Sequence, residues 1–251
     1  MLVFFLLALM LQARSQSLIG GKNIIKTNLS ADALQNYNLI YERSINHFFS
    51  ISASYANMSC RPLPFKSLAK SLISNSNIDF DNFKIANEAI TLEGRFYLGL
   101  KKMSGFYIAP YARIGSLGLS VPVNYNYPIQ IGNIAMSIPA QAILNGSIQS
   151  KSLGAYIGVQ YQILTKIVLD FWIIGGHYGT SAGKLQFDAP AFTPQSSLDE
   201  LKKTIDQTNT NPFRLSTTIV RNNDGTSSVV TKSDGPWAGI RGAGITIGLR
   251  F

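Results

Sequence analysis

The chain has 251 residues, 46% of them hydrophobic and only 14% charged, with a formal net charge of +9. That length suits a single domain, and the charge is sparse beside the roughly one quarter usual in soluble domains. After the N-terminus no stretch reaches the roughly 18 uninterrupted apolar residues of a membrane helix. Two histidines and the single Cys60 leave no metal cluster of usual spacing and no internal disulfide.

The N-terminus points to export. Leu2 to Leu11 is an almost unbroken apolar run, too short to span a bilayer. Ala13-Arg14-Ser15 follows, with the small first and third residues that a signal peptidase requires. The expectation is a signal peptide over 1–15, cleaved between Ser15 and Gln16, although the usual charged segment before the apolar run is missing. Loss of Arg14 lowers the net charge by one. Export makes nucleic acid an unsuitable partner for the remaining basic surplus, and anionic lipid head groups and lipopolysaccharide phosphates suit it better.

Beyond the leader, apolar and polar residues alternate with period two, the pattern of strands with unlike faces. Eight strands are predicted, at about 21–29, 35–43, 47–57, 86–101, 104–121, 151–163, 166–186 and 237–251. In the fourth, Ile90, Leu92, Phe96, Leu98 and Leu100 oppose Thr91, Glu93, Arg95 and Tyr97. Connections 58–85, 122–150 and 187–236 are long, while Ser44 to Asn46, Lys102-Met103 and Leu164-Thr165 are tight. Short turns at one end and long loops at the other are the asymmetry of an outer-membrane barrel. Residues 122–150 are apolar for a loop; they either extend strands five and six or add a pair, making ten strands. Within 187–236, residues 196–207 read as a helix capped by Ser196 or Ser197. Asn222 to Gly225 reads as the turn of a hairpin.

The last strand places Ile245, Ile247, Leu249 and Phe251 on one face, ending on an aromatic. This pattern resembles the C-terminal signal read by the barrel-assembly machinery. Lys26-Thr27-Asn28, Asn38-Leu39-Ile40-Tyr41-Glu42-Arg43 and Gly105-Phe106-Tyr107-Ile108-Ala109-Pro110-Tyr111 add to the likeness. Over about 21–187 and 237–251 the chain resembles a family of uncharacterised Gram-negative outer-membrane β-barrel proteins. The resemblance implies an eight-stranded barrel, no established activity, and assembly through that machinery and periplasmic chaperones.

The expected fold is therefore all-β: an antiparallel up-and-down transmembrane β-barrel of eight strands, ten being possible, over residues 16–251 in the cell outer membrane. Its lipid face takes Leu39, Phe49, Ile51, Leu92, Phe96, Ile108, Phe171, Ile245 and Phe251, with Tyr37, Tyr41, Tyr55 and Tyr161 as candidates for the aromatic girdles. An eight-stranded interior is just wide enough for side chains to fill. The polar faces supply it with Lys26, Glu42, Glu93, Arg95, Arg113, Asp170 and Arg250, both signs of charge and hence a network. The expected role is structural or surface-binding, with a filled lumen, no cofactor and no catalytic residue.

Three alternatives stand beside it. A narrow channel would need an open lumen. A periplasmic lipid-binding soluble barrel would turn the apolar faces inward. A lipid A-modifying hydrolase or acyltransferase would place a histidine near a hydroxyl at the outer rim. His177 has the parity of Leu169, Phe171 and Ile173, with Thr180 and Ser181 following. Yet the His-x-Ser spacing of lipid A deacylases is absent, His177-Tyr178-Gly179 standing instead.

Overall fold

The computed structural model describes residues 21–67, 70, 77–99, 101–163, 166–208, 210, 212–223 and 225–251, so the expected signal peptide over 1–15 lies outside the described residues. In chain order the elements are β1 (Asn23–Asn28), α1 (Leu29–Ala33), β2 (Tyr37–Ser44), β3 (Phe49–Pro62), β4 (Lys84–Tyr97), β5 (Gly105–Ile131), β6 (Ile134–Ile163), β7 (Ile167–Asp188), α2 (Gln195–Asp206), β8 (Arg214–Arg221), β9 (Ser227–Pro236), β10 (Gly239–Arg241) and β11 (Gly244–Arg250). All strands belong to one eleven-stranded antiparallel sheet.

Strands β1 to β7 pair in sequence, and β11 pairs with both β7 and β1, so eight strands form a hydrogen-bonded ring. The ring is not the symmetric up-and-down barrel that the sequence suggests. Its members run from 6 residues in β1 to 30 in β6. The sheet branches at β7, which pairs with β11 and β10 along its first half and with β9 along its second. Strand β8 then pairs with β9 outside the ring. Among the described residues the count is eleven strands rather than eight or ten.

The transmembrane reading, the outer-membrane address and the filled-lumen envelope role all depend on the symmetric barrel and fall with it. So do the partners inferred from it: outer-membrane lipid, lipopolysaccharide, the barrel-assembly machinery and periplasmic chaperones. The channel, the rim lipid A enzyme and the periplasmic soluble barrel presuppose a barrel too, and are likewise set aside. Among the described residues no helix is long and apolar enough to cross a membrane.

Residues 122–150 are the continuation of β5 and β6 as one long hairpin, turning at Gly132. This hairpin, α2, β8 and β9 make an extension above the ring. Its apolar core joins Val123, Tyr125, Ala142 and Leu144 to Leu198, Leu201, Ile205 and Val229. Helix α2 forms because Leu198, Leu201 and Ile205 fall on one face at helical spacing. Neither Ser196 nor Ser197 caps it: the N-cap is Pro194, without a side-chain bond, and the buried Ser197 hydroxyl instead lies 3.0 Å from the Tyr125 hydroxyl.

Besides a bulge in β3 between Met58 and Arg61, strict alternation breaks at two places that matter for the interior. Ile157 pairs with Ile174 but Gly158 with Trp172, leaving Ile173 as an extra residue in β7. Ile173 and Ile174 are both exposed, and the phase has changed by Tyr178, exposed, and Ser181, buried. The second break falls between β10 and β11, where Gly242 and Ala243 interrupt the strand.

Candidate functional site

The ring interior is built from the polar faces of its strands. Glu42 comes from β2, Glu93 and Arg95 from β4, Asp170 from β7 and Lys26 from β1, all buried. Lys26 Nζ pairs with Glu42 and lies 2.9 Å from Asp170 Oδ2 and 2.5 Å from Gln160 Oε1. Arg95 reaches Asp170 Oδ2 at 2.6 Å and Glu42 Oε2 at 3.3 Å through Nη1, and Glu93 Oε2 at 2.9 Å through Nη2. Tyrosines complete the acceptor sites. Tyr97 donates to Glu42 at 2.6 Å, Tyr107 to Asp170 at 2.5 Å and Tyr156 to Glu93 at 2.7 Å, while Ser50 donates to Glu42 at 2.5 Å.

This satisfaction is what makes the burial tolerable, because an unpaired buried charge costs several kcal/mol. Burial alone would raise the proton affinity of Glu42 and Asp170, but Lys26 and Arg95 outweigh it and hold both carboxyls below their ordinary range. The three tyrosines shift the other way: burial, reinforced by the adjacent carboxylates, keeps their hydroxyls protonated.

Arg241 supplies the last charge. Its Nη1 lies 3.6 Å from Glu93 Oε1, and its guanidinium stacks 4.5 Å from the Tyr156 ring centroid and 5.0 Å from Trp172. Lys26, Arg95 and Arg241 thus balance Glu42, Glu93 and Asp170, three bases against three acids.

Of the seven charged residues expected inside, five meet in this cluster. Arg113 faces the same interior higher up and is partly buried, without joining it. Arg250 binds at the other end, its Nε donating to the Gly21 carbonyl at 2.5 Å and its Nη1 to Gln162. Ile245, Ile247, Leu249 and Phe251 lie on or just after β11, where that strand closes the ring; their reading as an assembly signal falls with the symmetric barrel.

Arg241 escapes sequence reasoning because counting back by twos from Phe251 puts it on the outward face. The interruption at Gly242-Ala243 turns it inward, and the run of glycines at 239, 242 and 244 is the signal that could have shown it. His177 is misplaced for the same reason. The extra residue at Ile173 puts it opposite Gly154 and Gly239, on the inner side of β7. Ser181 is no partner for it, since that hydroxyl donates to the Gly235 carbonyl at 3.2 Å.

A second concavity lies on the extension, between α2 and the β5–β6 hairpin. It encloses about 600 Å³ and is lined by Asn77, Asn124, Tyr125, Asn126, Pro139, Ala140, Gln141, Glu200 and Thr204. The segment before β4 braces it: Asn124 N donates to the Asn77 carbonyl at 2.7 Å, and Asp79 N to that of Pro122 at 3.0 Å. Gln141 Nε2 donates to Asn124 Oδ1 at 2.8 Å. Glu200 is held by Lys203 one turn along the helix, at 3.0 Å.

Compared with known proteins, the chain matches no family model and no curated sequence. The likeness to outer-membrane barrels drawn from the short runs at Lys26, Asn38 and Gly105 is corrected accordingly. Those runs are what alternating strands joined by tight turns produce, and the branched sheet is not the architecture they imply.

Proposed function

We propose that the protein is a binding protein rather than an enzyme, and that it takes a small uncharged polar ligand of the sugar type in the cleft between α2 and the β5–β6 hairpin. The observation that carries this is the lining. Asn77, Asn124, Asn126 and Gln141 are four carboxamide residues along the cleft, with Thr204 on the helix side. A carboxamide offers both a donor and an acceptor, the complement of a hydroxyl that does both. Pro139 and Ala140 supply apolar surface for the C–H face of such a ligand. The volume lies within the range of small-molecule sites, about 300–1,000 Å³.

The cleft is poor ground for catalysis. Its ionisable carboxylate, Glu200, is already paired with Lys203, and the buried acids of the ring are each engaged by cations and tyrosine donors. Titration of the full chain with a panel of neutral mono- and disaccharides, followed by calorimetry, tests the proposal. Saturable binding that Asn126→Ala weakens at least tenfold is expected. Absence of binding across the panel, or binding indifferent to Asn126→Ala and Asn124→Ala, would overturn it.

A further inference from the structure

Above the neutral cluster the ring interior turns basic. Strand register sets three inward rows. The first carries Ala109, Tyr156, Gly175 and Arg241; the second Glu93, Tyr111, Gly154, His177 and Gly239; the third Thr91, Arg113, Ser152 and Gly179. Arg113, His177 and Arg241 therefore face one compartment from β5, β7 and β10. The acid in these rows, Glu93, already accepts from Arg95 and Tyr156.

Two observations show that this compartment has donors to spare. Arg241 Nη1 is buried and has no hydrogen-bond partner, its separation from Glu93 being too long for one. Among the described residues Arg113 makes neither a hydrogen bond nor an ion pair, and burial together with Arg241 works against its charge. It is the base left over once three acids and three bases have cancelled below it. The imidazole of His177 stands beside Gly239, where a Cβ would come within 2.9 Å of its Cε1. Arg113 and His177 are both partly exposed.

Planar guanidinium forks converging on a partly desolvated space are the usual receptors for oxyanions. We propose that the ring interior binds a phosphate group, as the free anion or as part of a small ester, between Arg113, His177 and Arg241. The anion would supply the acceptor that Arg241 Nη1 lacks and the countercharge that Arg113 lacks. This site is separate from the cleft beside α2, and neither depends on the other.

The test is calorimetric titration of the full chain with inorganic phosphate at constant ionic strength, with chloride as control. Saturable binding is expected in the intact protein, weakened at least tenfold in Arg113→Gln and partly kept in Arg113→Lys. Arg113→Gln removes no partnered group, so its fold should survive; His177→Ala gives a second reading that does not touch the charge cluster, with several-fold weakening expected. Glycerol phosphate in place of phosphate distinguishes the source: tighter binding of the ester marks an organic phosphate, tighter binding of phosphate the free ion. Unsaturable heats in the intact protein, or equal affinity in the intact protein and both Arg113→Gln and His177→Ala, would overturn the proposal.

Discussion

The ring and its extension share β5, β6 and β7 but are built inside out relative to one another. In the ring the inward faces carry Lys26, Glu42, Glu93, Arg95 and Asp170, while Leu39, Ile90, Leu92, Phe106 and Leu153 stand exposed outside. In the extension the inward faces carry Val123, Tyr125, Ala142 and Leu144 against α2, while Asn124, Asn126, Gln141 and Asn145 point out. One set of strands thus changes the sense of its polarity along its length. The ring coheres through matched charge and hydrogen bonds beside a buried cluster that includes Tyr107, Tyr111, Tyr156 and Trp172, the extension through apolar burial. The same alternation rule governs both, since a strand fixes only that neighbours point apart, not which face is greasy.

Removing a charge from the ring should have the largest effect. Arg95→Met leaves Glu42, Glu93 and Asp170 with too few cations, and loss of one partner from a buried pair costs about 3–5 kcal/mol. Denaturant unfolding should show a loss in that range; a loss under about 1 kcal/mol would mean that the cluster is not what holds the ring. In the extension Leu201, fully buried, is the counterpart. Leu201→Ala should cost about 2–5 kcal/mol, and hydrogen exchange should show the loss in α2 and β9 while β1 and β11 keep their protection.

The seam of the ring comes next. A Cβ at Gly244 would overlap the Trp172 ring, whose Nε1 donates to the Gly242 carbonyl at 2.6 Å. Gly244→Ala should destabilise by about 1–3 kcal/mol, with a change in tryptophan fluorescence reporting the displaced indole. The mildest test is pH. Glu42 and Asp170 titrate below their ordinary values, so the stability they confer is complete above the unfolded values near pH 4 and is lost as the pH falls from there toward the folded ones. Acid should therefore loosen ring strands before α2; the reverse order by hydrogen exchange at pH 3 to 4 would break the comparison.

Much of this was legible in the sequence, and its failures are local. Period two places Glu42, Glu93, Arg95 and Asp170 on one side, because a regular strand leaves no other choice. It also shows α2, whose apolar spacing is helical, and the Asn222–Gly225 turn between β8 and β9. It fails at single inserted residues. The bulge at Ile173 reverses the side chains after it, His177 among them, and the interruption at Gly242-Ala243 puts Arg241 out of phase with β11. The branch at β7 is also invisible, since pairing of β9 to β7 depends on contacts some 50 residues apart. The amide cleft escapes for the same reason: Asn77, Asn126 and Glu200 come from distant segments that only the folded extension brings together.

The claim that the ring is held by balanced charge is tested most directly by a double-mutant cycle on Arg95 and Asp170, which meet at 2.6 Å. Arg95→Met, Asp170→Asn and the double variant would be unfolded in denaturant beside the intact protein. The account predicts a double variant less damaged than the two losses added together, by about 1.5–3 kcal/mol, as for coupled buried partners. Losses that add to within about 0.5 kcal/mol would show that the two residues act independently, and would contradict it.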